Sequence, residues 1–378
     1  MLDVSEFYKE LIDNDIKFFT GVPDSLLKSF CAYVNDNTIS KNNIIAANEG
    51  NAVGLVSGYH LATGKIGLVY MQNSGLGNTI NPITSLSDKL VYSIPMLLVI
   101  GWRGEPGKKD EPQHKKQGLI TTKLLETLNI KYKILSDDTS KDEMKSFLRD
   151  VNDYMKKEKE PYALVIKKGT FNEYKLKNNK LYDFEMTREE ALEVILSHIN
   201  EKSIIVSTTG MLSRELFELR EKRKEKHDRD FLTVGSMGHA SQIALGIALN
   251  KKNLNVYCLD GDGALLMHLG GITTIGHENV ENFKHIVMNN GAHDSVGGQE
   301  TVALDIDILA LAKGARYSEA YSCSKKEDLI ICLEKLKNSK GPTLLEIKVK
   351  KGARKNLGRP TQIPIENKEG FMKNLEVN

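Results

Sequence analysis

The chain has 378 residues, of which 40% are hydrophobic and 27% are charged, and its formal net charge at pH 7 is +2. This length and composition are typical of a globular protein with roughly two domains, and the balanced charge gives no indication of nucleic-acid binding. The N-terminus lacks an apolar signal core, and the longest apolar runs, such as residues 95–100, are too short to cross a bilayer. The four cysteines show no metal-binding spacing and favour reduced thiols, so we expect a cytoplasmic protein.

Helical and strand patterns alternate through the first part of the chain. A helical pattern begins at Val4 behind the capping residue Asp3. Short apolar runs predict strands at residues 17–20, 44–47, 66–71, 96–101 and 162–166. A helix of small residues is predicted to begin at Glu49 and to pack closely against a sheet or another subunit. The polar residues 167–183 show neither period and form the predicted linker.

The alternation continues beyond the linker. Helices are predicted at residues 188–199, 235–249 (with a preceding loop) and 264–275. Strands are predicted at residues 203–207, 230–234, 254–259, 283–288 and 343–349. The polar residues 350–378 are predicted to wrap the surface, and the basic residues 220–226 to form a solvated helix end or loop. The pattern predicts an α/β fold with two similar parallel-sheet domains, at residues 1–180 and 181–378.

Two short motifs at the ends of consecutive predicted strands carry a metal-binding pattern. Gly261-Asp262-Gly263 follows one strand, and Asn289-Asn290 ends the next. Because the carboxyl ends of adjacent parallel strands share one sheet edge, a carboxylate and a carboxamide meet there. Such oxygen ligands suit a hard cation such as Mg²⁺, while glycines and a helix N-terminus admit an anion. The segment therefore predicts a site for a metal ion and a diphosphate.

This combination of motifs resembles the signature of the thiamin-diphosphate-dependent enzymes. The resemblance covers essentially the whole chain and implies thiamin diphosphate and Mg²⁺ as cofactors. It implies that Asp262, Asn290 and the main-chain oxygen of Ala292 bind Mg²⁺, and that the cofactor also contacts Gly261, Gly263 and Ala264. It further implies the thiamin-diphosphate-binding fold, with a pyrimidine-binding domain at 1–180 and a diphosphate-binding domain at 181–378. The linker is too short for a third domain between them.

Glu49 stands where a predicted strand meets a helix, a position that the helix dipole alone also favours for a glutamate. In the family that the chain resembles, the glutamate at this junction bonds the cofactor's aminopyrimidine ring and promotes the tautomer that removes the thiazolium proton. Burial raises a carboxyl pKa toward neutrality, which suits that role.

Gly235, Ser236 and Met237 resemble the family loop whose glycine carbonyl bonds the cofactor and whose apolar residue wedges between its two rings.

The resemblance also implies a set of polar residues around the pocket above the cofactor. Besides Glu49, the predicted catalytic residues are Asp24, Ser25, His114, His293 and Asp294. The predicted substrate-binding residues are Ser25, Asn73, Arg103, His114, Lys115 and Gln299, and Asn73 and Ser74 are also predicted to contact the cofactor. The basic residues 101–116 are predicted to form a loop that closes over a dianionic substrate, with a mobile solvated loop as the alternative.

Residues 110–114, 208–216 and 289–299 resemble the phosphonopyruvate decarboxylases, whose close relatives are the sulfopyruvate decarboxylases; Glu300 departs from the proline expected there. The resemblance implies decarboxylation of 3-phosphonopyruvate to phosphonoacetaldehyde and CO₂ in the biosynthesis of 2-aminoethylphosphonate. The alternatives are sulfopyruvate decarboxylation, carboligation and a non-catalytic thiamin-diphosphate-binding subunit, and the presence of Glu49 together with Asp262 and Asn290 argues against the last. The resemblance implies a homo-oligomer, at least a dimer with active sites at subunit interfaces, acting on a small anionic 2-oxo acid without nucleic-acid or membrane partners.

Overall fold

The structure is a computed structural model that describes residues 1–377. The chain forms two compact units. Unit 1 comprises Met1–Asn179 together with Ser295–Gln299, and unit 2 comprises Lys180–Asp294 together with the chain from Glu300 onward. As functional domains, residues 1–180 and 181–378 stay a prediction.

Unit 1 is built on a six-stranded parallel sheet with the order β2-β1-β3-β4-β6-β5. Its strands are β1 (Phe19–Gly21), β2 (Asn43–Ile45), β3 (Gly67–Gln72), β4 (Met96–Gly101), β5 (Lys131–Leu135) and β6 (Tyr162–Ile166). Its helices are α1 (Val4–Asp13), α2 (Lys28–Asn37), α3 (Glu49–Thr63), α4 (Leu76–Pro82), α5 (Pro112–Thr127) and α6 (Lys141–Glu158). Neighbouring residues of β4 belong to different apolar clusters, Leu97 to one and Leu98 to the other. Both faces of the sheet are therefore buried, as parallel sheets require.

Unit 2 repeats this arrangement with the sheet order β11-β12-β10-β9-β7-β8. Its strands are β7 (Ile204–Ser207), β8 (Asp230–Leu232), β9 (Val256–Gly261), β10 (Phe283–Asn289), β11 (Glu319–Cys323) and β12 (Thr343–Lys348). Its helices are α7 (Arg188–His198), α8 (Met211–Arg223), α9 (Ala240–Asn250), α10 (Asp262–Met267), α11 (Gly271–Glu278), α12 (Ile308–Gly314), α13 (Lys326–Asn338) and α14 (Pro364–Val377). Ile286 and Val287 of β10 lie in separate apolar clusters, so this sheet is also covered on both faces.

The two sheets have the same topology. When the strands of each unit are counted from its own first strand, both sheets read 2-1-3-4-6-5 from one edge to the other. The predicted α/β class with two similar parallel sheets is confirmed, and residues 1–377 contain no third domain. Within that range, no helix is both long and apolar enough to span a membrane.

Several predicted elements differ from the structure. The single helix predicted at 264–275 is two helices, α10 and α11, because the backbone turns at His268–Gly270. At Gly271, an added Cβ would lie 2.6 Å from Nε2 of Gln242, so that side chain would have to move. Asn73 and Ser74, which were predicted to contact the cofactor, lie in a 3₁₀ turn that leads into α4. Strand β5, which carries exposed lysines at the sheet edge, was not predicted, because its sequence lacks an apolar run.

The C-terminal segment contains a helix that was not predicted, and residues 220–226 are the helix end that was predicted, with Arg220 as a buried exception. Helix α14 covers the edge strand β8, where Asn367 donates a hydrogen bond to the carbonyl of Asp230 (2.9 Å) and accepts one from the amide of Leu232 (3.1 Å). Residues 364–377 are therefore helical and attached to the sheet edge, although the sequence from residue 350 onward is polar. Arg220 is buried rather than solvated, because its guanidinium binds both carboxylate oxygens of Asp230 at 2.8 and 2.9 Å.

Candidate active site

Four adjacent strands of unit 1 bring predicted site residues to one edge of the sheet. The order of these strands is β2-β1-β3-β4, and all of them run parallel. The residues that follow the four strands are, in that order, Glu49, Asp24, Asn73 and Arg103. The carboxyl ends of parallel strands are the usual location of ligand sites in such sheets.

Glu49 is the first residue of α3 and is 5% exposed. The preceding Asn48 caps the helix by accepting a hydrogen bond from the amide of Asn51 (2.9 Å). The side-chain amide of Asn78 donates to Oε2 of Glu49 at 2.8 Å. Gly75 lies against the same carboxylate, and a Cβ at residue 75 would stand 2.2 Å from Oε1. The buried carboxylate of Glu49 is therefore held by the Asn78 amide, and it occupies space that a side chain at residue 75 would fill.

Asp24 is fully buried behind β1. Its Oδ1 accepts a hydrogen bond from Nε2 of Gln72 (2.6 Å), and its Oδ2 accepts from the amides of Leu26 (2.9 Å) and Leu27 (3.3 Å). Burial raises the pKa of Asp24, and these hydrogen bonds oppose that rise. Gln72 in turn accepts a hydrogen bond from Oγ of Ser74 at 2.8 Å. Asp24 and Ser74 are thus joined through a residue that the sequence did not single out.

Arg103 is held in place from three directions. Its Nε and Nη2 donate to the carboxylate of Asp110 at 2.8 and 2.5 Å, and its Nη1 donates to Oγ of Ser25 at 2.8 Å. Asn73 is buried and donates to the carbonyl of Arg103 (2.8 Å) and to Oγ1 of Thr121 (2.9 Å). The Arg103 guanidinium and two backbone amides hold the pKa of Asp110 well below its ordinary value, against the opposing effect of burial. Asn73 therefore supports the backbone that carries Arg103.

Residues 112–116 of the segment 101–116 belong to α5, so the prediction of one continuous loop is wrong, while residues 106–109 are exposed. His114 and Lys115 lie in the first turn of α5, where Lys115 is exposed and His114 is partly buried. The indole Nε1 of Trp102 donates to the carbonyl of Gly118 at 3.0 Å. A Cβ at Gly118 would lie 1.7 Å from the carbonyl oxygen of Gly104, so the two backbones touch directly. Sequence periodicity missed this start of α5 because glycine, proline and lysine dominate the segment.

In unit 2, Asp262 opens α10 immediately after β9 and is 4% exposed. Its Oδ2 accepts a short hydrogen bond of 2.5 Å from Oγ1 of Thr301. Burial raises the pKa of Asp262 to about 6, and the Thr301 hydroxyl and the Gly263 amide oppose that rise. Thr301 is in turn fixed by its amide, which donates to the carbonyl of Gly291 at 3.0 Å. A cation at this carboxylate would compensate its desolvation.

Asn290 follows β10, the strand that pairs with β9, and Met288 of β10 lies opposite Gly261. The side-chain Nδ2 of Asn290 donates to Oδ2 of Asp294 at 2.6 Å. Its Oδ1 accepts from the amide of Ala292 at 3.0 Å. Because Asp294 accepts only from the nitrogen side of the carboxamide, it fixes which way the amide points and leaves the oxygen for a metal ion.

Asp294, which was predicted to be catalytic, also orients other residues in the structure. Its Oδ2 also accepts from Nη1 of Arg188 (3.3 Å) and from the amide of Gly352 (2.8 Å). Arg188 is buried and donates from Nε and Nη2 to Glu215 at 2.7 and 2.9 Å. A buried guanidinium therefore stands behind the carboxylate that orients Asn290.

Met237, Gly263 and His293 converge beside the Gly-Asp-Gly turn. A Cβ at Gly263 would lie 3.1 Å from the ring of His293 and 3.3 Å from Cε of Met237. Desolvation lowers the pKa of His293 to about 4, so its imidazole is neutral at pH 7. The oxygen donors of Asp262 and Asn290, together with the bare backbone at Gly263, fit a metal-bound diphosphate. The apolar Met237 beside them fits an organic ring.

The loop before α9 is strongly turned. Ser236 and Gly238 have φ values of +55° and +85°, and a Cβ at Gly238 would lie 2.6 Å from the ring of His268. Oγ of Ser236 and Nδ1 of His239 are 3.1 Å apart. The structure thus places Gly235 and Ser236 on an accessible turn that Gly238 makes possible.

Gln299 is 1% exposed, and neither its Oε1 nor its Nε2 has a hydrogen-bond partner among the described residues. A buried carboxamide without partners is costly, and natural proteins rarely keep one without a ligand or a second chain to satisfy it. This observation fits its predicted role in substrate binding.

Sequence reasoning missed the residues that orient the predicted ones. They are Asn78, Asp110, Thr301, Arg188 and Glu215. Thr301 stands next to the Glu300 departure, but nothing in its local sequence connects it with Asp262, which is 39 residues away. Arg188 reads as an ordinary residue in the first turn of a helix.

Comparison with known proteins adds independent findings. Residues 5–124 match the N-terminal thiamine pyrophosphate-binding domain of thiamine pyrophosphate enzymes, and residues 208–347 match the C-terminal one. The chain is 32% identical over 381 residues to "Phosphonopyruvate decarboxylase" of Streptomyces viridochromogenes, covering 97% of this chain and 93% of that protein. The protein of the same name from Streptomyces hygroscopicus is also 32% identical, with 97% and 92% covered. "Sulfopyruvate decarboxylase" of Methanosarcina acetivorans is 27% identical, with 94% and 93% covered.

Proposed function

The chain belongs to the thiamin-diphosphate-dependent decarboxylases that include phosphonopyruvate and sulfopyruvate decarboxylases, and from this premise we propose that it converts 3-phosphonopyruvate to phosphonoacetaldehyde and CO₂ with Mg²⁺ as the metal ion. The observation that carries the choice of substrate is the match over nearly the full length to two relatives named for phosphonopyruvate. Sulfopyruvate is the second candidate, because a relative named for it also matches nearly the whole chain and the two substrates carry similar tetrahedral anions. The reaction would serve the biosynthesis of 2-aminoethylphosphonate.

Asp262, Asn290 and the carbonyl of Ala292 would hold Mg²⁺, and Gly261, Gly263 and Ala264 would face the diphosphate. The support for this assignment is the donor set, because carboxylate, carboxamide and carbonyl oxygens are the ligands that a hard cation takes. Thr301 and Asp294 keep the first two ligands in fixed orientations. The protein therefore supplies a preorganised metal site that needs little rearrangement on binding.

Glu49 would exchange a proton with the pyrimidine end of the cofactor. Thiamin diphosphate, when bound, supplies the electron sink that a 2-oxo acid needs to lose CO₂. The chain's own contribution is a buried carboxylate whose Oε2 is held by Asn78 and whose position is limited by Gly75. Gly235 and Met237 would contact the cofactor between its two rings. A buried carboxylate that is held in one position is suited to proton transfer at one atom.

Arg103 and Ser25 would bind the anionic group of the substrate. The guanidinium uses its Nε–H and one N–H on each terminal nitrogen for Asp110 and Ser25, and each terminal nitrogen keeps a second N–H. Those remaining donors can bind a phosphonate or sulfonate oxygen in a charge-assisted hydrogen bond. His114, Lys115, Asn73, Ser74, Asp24, His293 and Gln299 keep the predicted roles in substrate, cofactor or proton contacts as part of this proposal.

We further propose a homo-oligomer, at least a dimer, in which Glu49 of one copy and Asp262 of another contact the same cofactor. Residues 54 and 58 of α3 are exposed glycines, and a Cβ added at either one would meet no atom within 4 Å. Such a surface without side chains is suited to close packing against a second chain. The four cysteines are buried and unpaired, which suits a reducing cytoplasmic environment.

The test measures CO₂ release from phosphonopyruvate, sulfopyruvate and pyruvate, each with and without thiamin diphosphate and Mg²⁺. We expect cofactor-dependent turnover with the highest kcat/KM for phosphonopyruvate. Glu49→Gln should abolish most turnover, while Glu143→Gln serves as a matched control, because Glu143 is an exposed glutamate in the first turn of α6. Turnover without the cofactor, or near-normal turnover in Glu49→Gln, would refute the proposed mechanism. Higher kcat/KM for sulfopyruvate would select the second candidate.

A further inference from the structure

Three polar side chains lie on the buried face of the two strands that carry the metal ligands. Cys258 and Asp260 belong to β9, and His285 belongs to β10, where it pairs with Cys258 in the parallel register. Their exposed fractions are 0%, 1% and 0%, and their ligand-type atoms lie within 4.8 Å of one another. Buried polar side chains on a face that packs against an apolar cluster need a reason to be there.

A chain of hydrogen bonds links this cluster to the Gly-Asp-Gly turn. The hydroxyl of Tyr317 is 3.1 Å from Nδ1 of His285, and Nε2 of His285 is 3.4 Å from Oδ2 of Asp260. The other oxygen of Asp260, Oδ1, accepts from the amide of Gly261 at 3.0 Å. That amide belongs to the Asp260–Gly261 peptide, one residue before Asp262.

The protons in this chain can be assigned. Nε2 of His285 faces a carboxylate oxygen of Asp260, which accepts, so the ring donates from Nε2 to Asp260. The Tyr317 hydroxyl then donates to the other ring nitrogen, Nδ1. Both hydrogen bonds therefore point toward the Asp260 carboxylate, which turns its remaining oxygen to the backbone of the turn.

We propose that the Tyr317–His285–Asp260 chain is a positioning device that fixes the Gly261–Asp262 backbone for binding of the metal and the diphosphate. Its members are positioning residues, because they act through the Gly261 amide and do not themselves touch the cofactor site. A carboxylate buried beside an apolar core is expensive, and an aliphatic residue would pack there at lower cost. The inference rests on the proposed cofactor site at Asp262.

A buried metal ion held by Cys258, Asp260 and His285 is the rival explanation of the same cluster. The hydrogen bonds favour the positioning device, because both ring nitrogens of His285 already face suitable partners. Cys258 distinguishes the two explanations, since a metal site needs its thiolate and the hydrogen-bond chain does not include it. Burial also raises the pKa of the Cys258 thiol well above its ordinary value, which favours the neutral form.

The experiment compares the wild-type protein with Tyr317→Phe, His285→Leu, His285→Gln and the matched control Cys258→Ala. The dissociation constant of thiamin diphosphate is measured at fixed Mg²⁺ by titration calorimetry, and kcat is measured at saturating cofactor. Metal content of each protein is determined after dialysis against a chelator, and circular dichroism establishes that each variant is folded.

We expect the dissociation constant to rise roughly tenfold in His285→Leu, the factor that corresponds to about 1.4 kcal/mol. Tyr317→Phe should show a smaller rise, and His285→Gln should restore binding because its amide can donate to Asp260. In all folded variants, kcat at saturating cofactor should stay within about twofold of wild type, as expected for a device that affects binding rather than chemistry. Cys258→Ala should bind the cofactor like wild type.

Unchanged dissociation constants in both His285→Leu and Tyr317→Phe would overturn the inference. So would a stoichiometric chelator-resistant metal that Cys258→Ala and His285→Leu both lose. If His285→Leu fails to fold, Tyr317→Phe decides the outcome. A wild-type protein that binds no thiamin diphosphate would refute the proposed cofactor site itself, whereas normal wild-type binding with normal variants refutes only the positioning device.

Discussion

Replacing Gly75 with alanine should lower the activity of the enzyme by displacing the carboxylate of Glu49. The backbone at Gly75 has φ −72° and ψ −15°, which alanine adopts without strain, so the substitution changes only the space beside the carboxylate. The new Cβ would lie 2.2 Å from Oε1, 2.4 Å from Cδ and 2.6 Å from Cγ of Glu49. Ordinary van der Waals contact begins at 3.4 Å, so the carboxylate must move by about 1 Å.

The displacement of the Glu49 carboxylate determines how far kcat should fall. A misplacement of about 1 Å in a catalytic group can lower the rate by roughly 100-fold, which corresponds to about 2.7 kcal/mol of transition-state stabilisation. The moved carboxylate also risks the 2.8 Å hydrogen bond from Asn78. We therefore expect kcat for CO₂ release to fall by about two orders of magnitude, with a loss of about 1 to 3 kcal/mol in the free energy of unfolding from overpacking.

The chain offers a matched control two residues away. Gly77 is an exposed residue of α4, and a Cβ at that position would meet no atom within 4 Å. Gly77→Ala should therefore keep full activity and raise the free energy of unfolding by up to about 1 kcal/mol, the difference in helix propensity. The reasoning is refuted if Gly75→Ala keeps activity within about threefold of wild type while Glu49→Gln loses it.

Other predictions concern the metal site and the Arg103 pair. Thr301→Val removes the hydroxyl that donates to Asp262 while keeping its shape, so the Mg²⁺ concentration for half-maximal activity should rise roughly tenfold; an unchanged Mg²⁺ titration would contradict this. Asp294→Asn should weaken Mg²⁺ and cofactor binding more than it lowers kcat, and the reverse pattern would restore a catalytic role for Asp294. Because the folded-state pKa of Asp110 lies below its ordinary value of 3.8, the stability it adds should be fully present above about pH 4 and fall as the pH drops further; Asp110→Asn should flatten that acid limb in urea unfolding, and an equally steep limb would argue against the pairing. Dialysis against a chelator should release thiamin diphosphate together with Mg²⁺, and retention of the cofactor would show that the metal is not its anchor.

The strands buried on both faces could be predicted from sequence because each is a short apolar run between polar segments. The predicted 66–71 corresponds to β3 at Gly67–Gln72, and 283–288 corresponds to β10 at Phe283–Asn289. Helix α14 could not be predicted in this way, since its attachment depends on a few inward residues such as Asn367 and Phe371 in a polar sequence.

The candidate site also contains residues that could be predicted from the sequence and residues that could not. Asp262 and Asn290 could be placed because strand polarity brings them to one sheet edge, whereas the role of Glu49 followed from the family resemblance. Their orienting partners could not, because each contact depends on tertiary folding; Arg188 reaches Asp294 across 106 residues. The pairing of Arg103 with Asp110 could not be predicted for the same reason, since it depends on the turn between them.

The shared strand order of the two sheets has an evolutionary consequence. Two units with the same sequence of crossovers are what a tandem duplication of one ancestral half would leave behind. The equivalent strands of the two units end on chemically different side chains. The third strand of unit 1 leads into Asn73, whereas the third strand of unit 2 leads into Asp262, and the fourth strands lead into Arg103 and Asn290. The same strand order therefore presents different side chains at the equivalent strand ends of the two units.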